Sequence, residues 1–227
     1  MDSEKIPMYV DALSNGNTRV VAKALAELGG IASYSQLEKT SGVPGSLLIH
    51  HLNKLHEMNV VDVPVKGTYA LRYRTPLCFL YETKGVDYAY LGLLGRRENR
   101  AEAETSVALR LLREEKIEPV FRYVVTSPEA LNEWKSLKLP YEWILLYDNE
   151  IIDIDAIVNR VRPQLEELLK DHVLILDCTS STKPATIAFY ELAQTYLAPL
   201  IYMYEGTEQM KWLASRETIR KRLGLEE

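Results

Sequence analysis

The chain has 227 residues, of which 47% are hydrophobic and 26% charged; these proportions are average for globular proteins and exclude collagen, coiled coil and wholesale disorder. Its net charge is -5, but the first 80 residues carry eight basic and seven acidic side chains, and the remainder carries nineteen and twenty-five. An acidic body does not coat a nucleic acid over its whole surface, so any polyanion must bind at a local site.

The sequence offers no signal for membrane insertion or export. Its longest apolar runs, such as residues 173–176, are far shorter than the roughly 20 residues that span a bilayer. The first residues lack the basic start and apolar stretch of a signal peptide. Two cysteines, Cys78 and Cys178, are too few for a disulfide framework or a four-ligand zinc site. We therefore expect a cytoplasmic protein without membrane contact.

The first third of the chain predicts three helices followed by a hairpin. A helical pattern of apolar residues stops at Gly29-Gly30, a second short helix follows, and Pro44 opens a third. Residues 60–63 and 69–73 then alternate as two strands. This is the order of a winged helix-turn-helix domain, which we predict for residues 1–80.

Beyond a join near residues 75–85, strands and helices alternate. Such alternation requires a mainly parallel sheet with helices on both faces, so we predict an α/β, Rossmann-like domain of about five strands over residues 85–206, followed by a C-terminal helix over 207–227. Ligands in this architecture bind beyond the carboxyl ends of the strands. The predicted strands are 88–94, 120–125, 143–147, 173–176 and 200–204, and the predicted helices are 100–115, one opening at Ser127-Pro128, 153–170 and 184–196.

The N-terminal segment resembles the ArsR and MarR type winged helix regulators, in the stretches "NTRVVAKALAELGG" and "YSQLEKTSGVPGSLLIHHLNKLHEMNVV". The resemblance implies binding to double-stranded DNA, with the third helix in the major groove and the wing on phosphates. The alternative is a docking module for protein, because a near-neutral domain is electrostatically poor for DNA. The expected DNA contacts are Ser46, Leu47, His50, His51 and Lys54 on the helix, and Lys66, Arg72 and Arg74 around the wing.

The loop after the fourth predicted strand has the composition of a phosphate site. The strand ends at Asp177, the polar loop 178–183 follows, and Pro184 opens a helix. Backbone N–H groups at the helix start, several hydroxyls and the Lys183 ammonium would converge on an anion. The Gly-x4-Gly-Lys-Ser/Thr pattern of a P-loop is absent. The alternative is a helix start capped by hydroxyls that binds nothing.

The stretch "HVLILDCTSSTKPATIAFYELAQTYLAPLIYMYE" resembles the CARF family, the CRISPR-associated Rossmann-fold sensors of cyclic oligoadenylate. The family's usual signature is Asp-x-Thr-Gly-Gly-Thr-Lys, and serines stand here in place of its two glycines. The resemblance implies a second ligand loop after the first strand and further contacts at the rim. The ligand-binding residues expected on this basis are Asp177, Thr179, Ser180, Ser181, Thr182, Lys183, Gly95, Arg96, Arg97, Ser127 and Tyr204.

The resemblance further implies a homodimer that holds cyclic tetra- or hexa-adenylate across its two-fold axis and regulates transcription in antiviral CRISPR defence. The alternative is a metal-independent ring nuclease, in which a ribose 2′-hydroxyl attacks the neighbouring phosphate and leaves a 2′,3′-cyclic phosphate. Its catalytic residues would be Lys183, Ser180 and Ser181. We expect no cofactor and no metal; Asp153, in an acidic stretch, is interpreted as a helix cap.

Overall fold

The computed structural model describes residues 6–204 and 209–225. The chain divides into two units. The first holds the described residues up to Val86, together with Leu169–Val173 and the described residues from Arg216 onward. The second holds the described residues of Asp87–Leu168 and Leu174–Ser215. The boundary at Val86 falls close to the join that the sequence indicates, whereas the two later segments of the first unit follow from contacts that sequence order does not show.

The helices are short apart from α8, and no helix among the described residues is both long and apolar enough to cross a bilayer. They are α1 (Tyr9–Leu13), α2 (Gly16–Glu27), α3 (Tyr34–Ser41), α4 (Gly45–Glu57), α5 (Leu77–Leu80), α6 (Glu104–Glu114), α7 (Pro128–Trp134), α8 (Ile154–Asp171), α9 (Lys183–Tyr196) and α10 (Arg216–Arg222). The strands are β1 (Ile31–Ser33), β2 (Val61–Val65), β3 (Thr68–Leu71), β4 (Tyr88–Leu93), β5 (Pro119–Thr126), β6 (Glu142–Leu145), β7 (Val173–Asp177), β8 (Leu200–Tyr204) and β9 (Gln209–Ala214).

In the first unit, local signals set the helix ends. The Asn15 side chain accepts hydrogen bonds from the first turn of α2, Ser33 and Gln36 form a capping box on α3, and Gly42 closes α3 with φ of 66°. The three-stranded sheet runs β1-β3-β2 with antiparallel pairing. The assignment of these elements as a winged helix-turn-helix stays a prediction.

Helix α4 exposes most of the residues expected to contact DNA. Ser46, Leu47 and His50 are exposed and Lys54 is half-buried. The expectation for His51 is wrong, because its side chain is 5% exposed and its Nδ1 lies 2.9 Å from the Thr18 hydroxyl. Residue 51 lies three positions after Leu48 on the helix, so it shares the face that α4 buries.

The wing offers one exposed cation at its turn, Lys66. Arg72 donates to Asp62 at 2.7 Å, and Arg74 donates to the Gly30 carbonyl at 2.8 Å. A Cβ atom at Gly30 would lie 2.6 Å from Arg74 Cδ, so this glycine makes room for the guanidinium stem. Both guanidinium groups thus bind within the unit, and the phosphate contacts expected of Arg72 and Arg74 stay predictions.

The second unit is a mixed α/β fold around a mainly parallel sheet, which confirms the predicted fold class. Its six strands run in the order β6-β5-β4-β7-β8-β9; the β4–β5, β5–β6 and β7–β8 pairs are parallel, and the β8–β9 pair is antiparallel. Strands β4 and β7 are almost wholly buried, as expected of strands covered on both faces. The chain crosses from β6 back to β7 beside β4, which creates a crevice at the carboxyl ends of β4 and β7.

The sequence predicts a single helix over residues 207–227, and the structure differs from this prediction. The predicted tail starts at Thr207, and residues 205–208 lie outside the described residues. From Gln209 the chain forms β9, and only then α10. Burial alternates along β9, with Met210 and Trp212 half-buried, Lys211 exposed and Ala214 buried. This period of two is the strand signal that the helical interpretation overlooked. The helix predicted from residue 100 also begins later, at Glu104.

Candidate functional site

A cavity of about 470 Å³ lies within the second unit, among the loops that follow β4, β5 and β7. This is the crevice that the strand order predicts, and the volume is within the usual range for small-molecule sites. Its lining residues are Leu94, Gly95, Arg96, Glu98, Arg100, Ser127, Glu129, Ala130, Ile151, Thr179, Ser180, Ser181 and Thr182.

Asp177 is hydrogen-bonded to a residue of the cavity lining but does not itself line the cavity. Its carboxylate is fully buried and accepts hydrogen bonds from the Tyr90 hydroxyl at 2.6 Å and from the Thr179 N–H at 2.9 Å. The Thr179 hydroxyl also donates to it. Burial raises the pKa of Asp177, and burial beside that carboxyl raises the pKa of Tyr90 well above its ordinary value. The expectation that Asp177 contacts a ligand is therefore wrong.

The hydroxyls of the β7 loop hold neighbouring segments together. The Thr179 hydroxyl accepts from the Met203 N–H at 2.8 Å, and the Thr182 hydroxyl donates to the Ile151 carbonyl at 2.9 Å. The Ser180 hydroxyl accepts from the Gly95 N–H at 2.9 Å. Because a hydroxyl both accepts and donates, Ser180 keeps its own proton for a ligand in the cavity.

The start of α9 provides fewer anion-binding groups than the sequence suggested. Pro184 has no N–H, and the Ala185 N–H donates to the Thr182 hydroxyl at 3.3 Å. Lys183 is exposed and is not among the lining residues. At the start of α9, an anion could thus contact the Lys183 backbone N–H and the exposed Lys183 side chain.

Helix α7 fixes the loop after β4. The Trp134 indole donates to the Gly95 carbonyl at 2.9 Å, and the Arg97 N–H donates to Glu133 at 2.8 Å. The Arg97 guanidinium lies 5.5 Å from the centroid of the Trp134 ring, and it also donates to Ser136 at 3.0 Å. Arg97 is therefore a loop anchor outside the cavity, whereas the exposed Arg96 lines it.

Two further predicted ligand contacts have contrasting positions. Ser127 caps α7 by accepting from the Ala130 N–H at 3.2 Å, and it lines the cavity. Tyr204 is 56% exposed at the end of β8 and lies outside the lining. The predicted ligand residues that line the cavity are Gly95, Arg96, Ser127, Thr179, Ser180, Ser181 and Thr182.

Sequence reasoning missed the charged residues that accompany them. Arg100 is paired at 2.5 Å with the buried Glu104, and at 3.5 Å with Glu98. Glu129 follows Ser127-Pro128 at the start of α7, where an acidic side chain is commonly interpreted as a response to the helix dipole. Its place in the cavity depends on strand order, which that local pattern does not reveal. The missed lining residues are Leu94, Glu98, Arg100, Glu129, Ala130 and Ile151.

The acidic stretch before α8 serves local structure. Asp153 accepts from the Ala156 N–H at 3.1 Å, which confirms its interpretation as a helix cap. Glu150 accepts from the Tyr147 N–H at 2.9 Å and lies 3.7 Å from Arg160. Over residues 6–204 and 209–225, no group of three or more His, Cys, Asp or Glu side chains is arranged to hold a metal ion.

Gly95 should tolerate no side chain. A Cβ atom there would lie 2.9 Å from the Ser181 N and 3.1 Å from the Ser180 hydroxyl oxygen. We expect Gly95→Ala to push the two loops apart and to lower the free energy of unfolding by roughly 1–3 kcal/mol. Urea denaturation measures this loss. Gly16→Ala is the control, because a Cβ there meets nothing within 4 Å; equal losses in both variants would contradict the prediction.

Ser181 adopts a backbone conformation that favours glycine. Its φ is 89°, a region that costs a non-glycine residue roughly 1–3 kcal/mol. Glycine at a regular position is about 0.5–1 kcal/mol less favourable than alanine, so Ser181→Gly should stabilise the protein by about 1 kcal/mol. Thermal unfolding checks this. The control Ser180→Gly should destabilise it instead, since the hydrogen bond to Gly95 is lost; a Tm that rises in both variants would refute the strain argument.

No protein-family model and no curated protein matches this chain. Among solved structures, it is similar to Enterococcus italicus Csm6 bound to cyclic hexa-2'-fluoro-hexa-dAMP, with 12% identity and a TM-score of 0.42, covering 63% of this chain and 40% of that one. It is also similar to Can2 from Sulfobacillus thermosulfidooxidans in complex with cyclic tetra-adenylate, with 15% identity and a TM-score of 0.37, covering 56% and 35%. The chain thus matches less than half the length of either of these chains.

Proposed function

We propose that the second unit binds cyclic oligoadenylate, as tetra- or hexa-adenylate, in the cavity between the β4 and β7 loops, and that the protein is a cytoplasmic CARF-type regulator of CRISPR defence. The observation that carries this proposal is the coincidence of two independent features. The loop that resembles the CARF signature, residues 177–183, provides four residues of the cavity lining. The cavity itself lies at the crevice where α/β sheets bind ligands.

The polar groups of the cavity suit a nucleotide. Arg96 presents an exposed guanidinium that can hold a phosphate through two parallel hydrogen bonds. Ser180 supplies a hydroxyl donor, and Gly95 lets backbone and ligand approach closely. Lys183, exposed in the first turn of α9, would reach the ligand from outside the lining with its long side chain.

A homodimer is part of the proposal. A cavity of about 470 Å³ holds roughly one nucleotide of a ring, so one copy would enclose only part of a cyclic tetra- or hexa-adenylate and a second copy would enclose more of it. Exposed apolar side chains on the second unit support self-association, since large patches of this kind mark interaction sites. Ile187 and Tyr190, 51% and 47% exposed, are three residues apart and so share one face of α9, and Ile152 is 69% exposed.

One binding experiment tests the proposal. Purified protein is incubated with labelled cyclic tetra- and hexa-adenylate, and bound material and products are separated. Retention of intact ligand supports a sensor. Linear fragments would favour the ring nuclease, with Ser180, Ser181 and Lys183 as the residues to substitute. Absence of binding overturns both. Arg96→Ala should weaken binding, and Arg113→Ala, which removes an exposed arginine of α6, is the matched control.

We further propose that α4 of the first unit contacts double-stranded DNA, through Ser46, Leu47, His50 and Lys54, with Lys66 of the wing on a phosphate. A gel shift over a range of salt concentrations tests this, because Lys54→Ala should reduce affinity and the salt dependence by about one phosphate contact. The competing role is protein docking, which the exposed apolar side chains Leu47 and Ile49, at 46% and 48%, favour. A shift that neither Lys54→Ala nor Lys66→Ala alters would support docking.

A further inference from the structure

The cavity carries both signs of charge. Arg96 and Arg100 line it, and so do Glu98 and Glu129. Arg100 is already paired with the buried Glu104 at 2.5 Å and with Glu98 at 3.5 Å, so its charge is largely balanced within the protein. A site for phosphates alone gains nothing from carboxylates, because like charges repel. Because Glu98 is paired with Arg100, it is Glu129 that indicates a ligand with hydrogen-bond donors as well as phosphates.

Glu129 is an exposed carboxylate in the lining of the cavity. It occupies the second position of α7, directly after the cap Ser127 and Pro128. The neighbouring Glu129 backbone N–H and Ser127 side chain, with the Arg96 guanidinium nearby, lower the pKa of Glu129. Ser127 is itself 8% exposed and bonded to the Ala130 N–H. The carboxylate is thus ionised at neutral pH, and an ionised carboxylate only accepts hydrogen bonds.

We propose that Glu129 is a specificity-determining residue of the cavity, which accepts a hydrogen bond from a donor group of the bound nucleoside. This inference rests on the proposed function. It explains how the cavity would select the base or the sugar of its ligand. Two groups of an adenylate have this chemistry, the 6-amino group of adenine and the ribose 2′-hydroxyl. A ligand with an acceptor group beside Glu129 would face an ionised carboxylate. Neither group carries a proton, so no hydrogen bond forms and such a ligand is rejected.

Three cyclic ligands separate the two donors. Cyclic tetra-adenylate has both, cyclic tetra-inosinate replaces the amino group with a carbonyl acceptor, and a 2′-fluoro cyclic tetra-adenylate lacks the hydroxyl. Calorimetry of the wild-type protein should show that one of the two analogues binds about 10- to 100-fold more weakly than the tetra-adenylate, as expected for a lost hydrogen bond to a charged group. The analogue that loses affinity identifies the donor.

Variants of Glu129 then test its role. Glu129→Ala should weaken tetra-adenylate binding by a similar factor and abolish the discrimination. Glu129→Gln presents a donor as well as an acceptor, so it should improve inosinate binding relative to the wild type when the amino group is the partner. Glu114→Gln, a substitution on the exposed surface of α6 away from the lining, should change neither affinity nor preference.

The outcomes distinguish this inference from the proposed function. Failure of the wild-type protein to bind any of the three ligands overturns the function and the inference with it. Binding of tetra-adenylate with unaltered affinity and unaltered preference in Glu129→Ala leaves the function standing and overturns the inference. Tighter binding of all three ligands by Glu129→Ala also overturns it, because the carboxylate would then act only by repulsion.

Discussion

Asp177→Ala should cost roughly 2–5 kcal/mol of the free energy of unfolding, because each hydrogen-bonding group left without its partner costs about 1–3 kcal/mol. The substitution leaves the fully buried Tyr90 hydroxyl without its acceptor, and the half-buried Thr179 N–H loses the same acceptor. Chemical denaturation measures the loss. Tyr90→Phe removes a single donor from the same network and should cost only about 1 kcal/mol.

The pH dependence of this effect has a definite sign. Because burial raises the pKa of Asp177, its contribution to stability is complete below the ordinary carboxyl pKa of about 4 and decreases as the pH rises through the folded value. Asp177→Asn keeps one acceptor oxygen but cannot titrate. Wild type should therefore gain stability relative to Asp177→Asn as the pH falls from 7 toward 4. A constant difference between the two proteins over that interval would show that the carboxyl has an ordinary pKa.

Trp134→Ala should also cost roughly 3–5 kcal/mol, because it removes a large and fully buried side chain. The same change releases the loop after β4, since the indole donates to the Gly95 carbonyl and the Arg97 guanidinium packs on its ring. Ligand binding should therefore decline along with stability.

A milder substitution separates these two effects. Trp134→Phe keeps most of the buried ring but loses the hydrogen bond to Gly95, so it should cost about 1–2 kcal/mol and still weaken the proposed binding of cyclic tetra-adenylate. Trp143→Phe is the matched control, because Trp143 is a half-buried residue of β6 outside the cavity lining. Binding that survives Trp134→Phe as well as it survives Trp143→Phe would mean that the indole does not position the β4 loop.

Periodicity explains why much of the fold could be predicted. Strands β4, β5, β7 and β8 are apolar runs separated by amphipathic helices, and this pattern alone requires a parallel sheet. The strand β9 was missed because Leu213 interrupts the alternation of its other apolar residues, Met210, Trp212 and Ala214, and because a charged helix follows. The order of the strands could not be predicted from the sequence either, because β5 and β7 both become neighbours of β4 through contacts distant in the chain.

The site residues that could be predicted are those whose place in the cavity follows from their position in the backbone. Gly95, Ser127 and the loop 179–182 follow strand ends, and strand ends meet at one edge of a parallel sheet. The role of Asp177 was not predictable. The sequence pattern of an aspartate at a strand end is the same whether its carboxylate contacts a ligand or a buried tyrosine. Glu129 was missed because the helix dipole already explains an acidic residue at the start of a helix, so nothing in the sequence pointed to a ligand.

The two edges of the six-stranded sheet have a consequence for how copies of the protein can meet. At one edge β9 is antiparallel and exposes Lys211, and at the other β6 is only four residues long and begins with the exposed Glu142. Short, charged edge strands are poor templates for another sheet. Two molecules are thus discouraged from joining their sheets into one continuous ribbon, so the proposed homodimer would have to form through other surfaces.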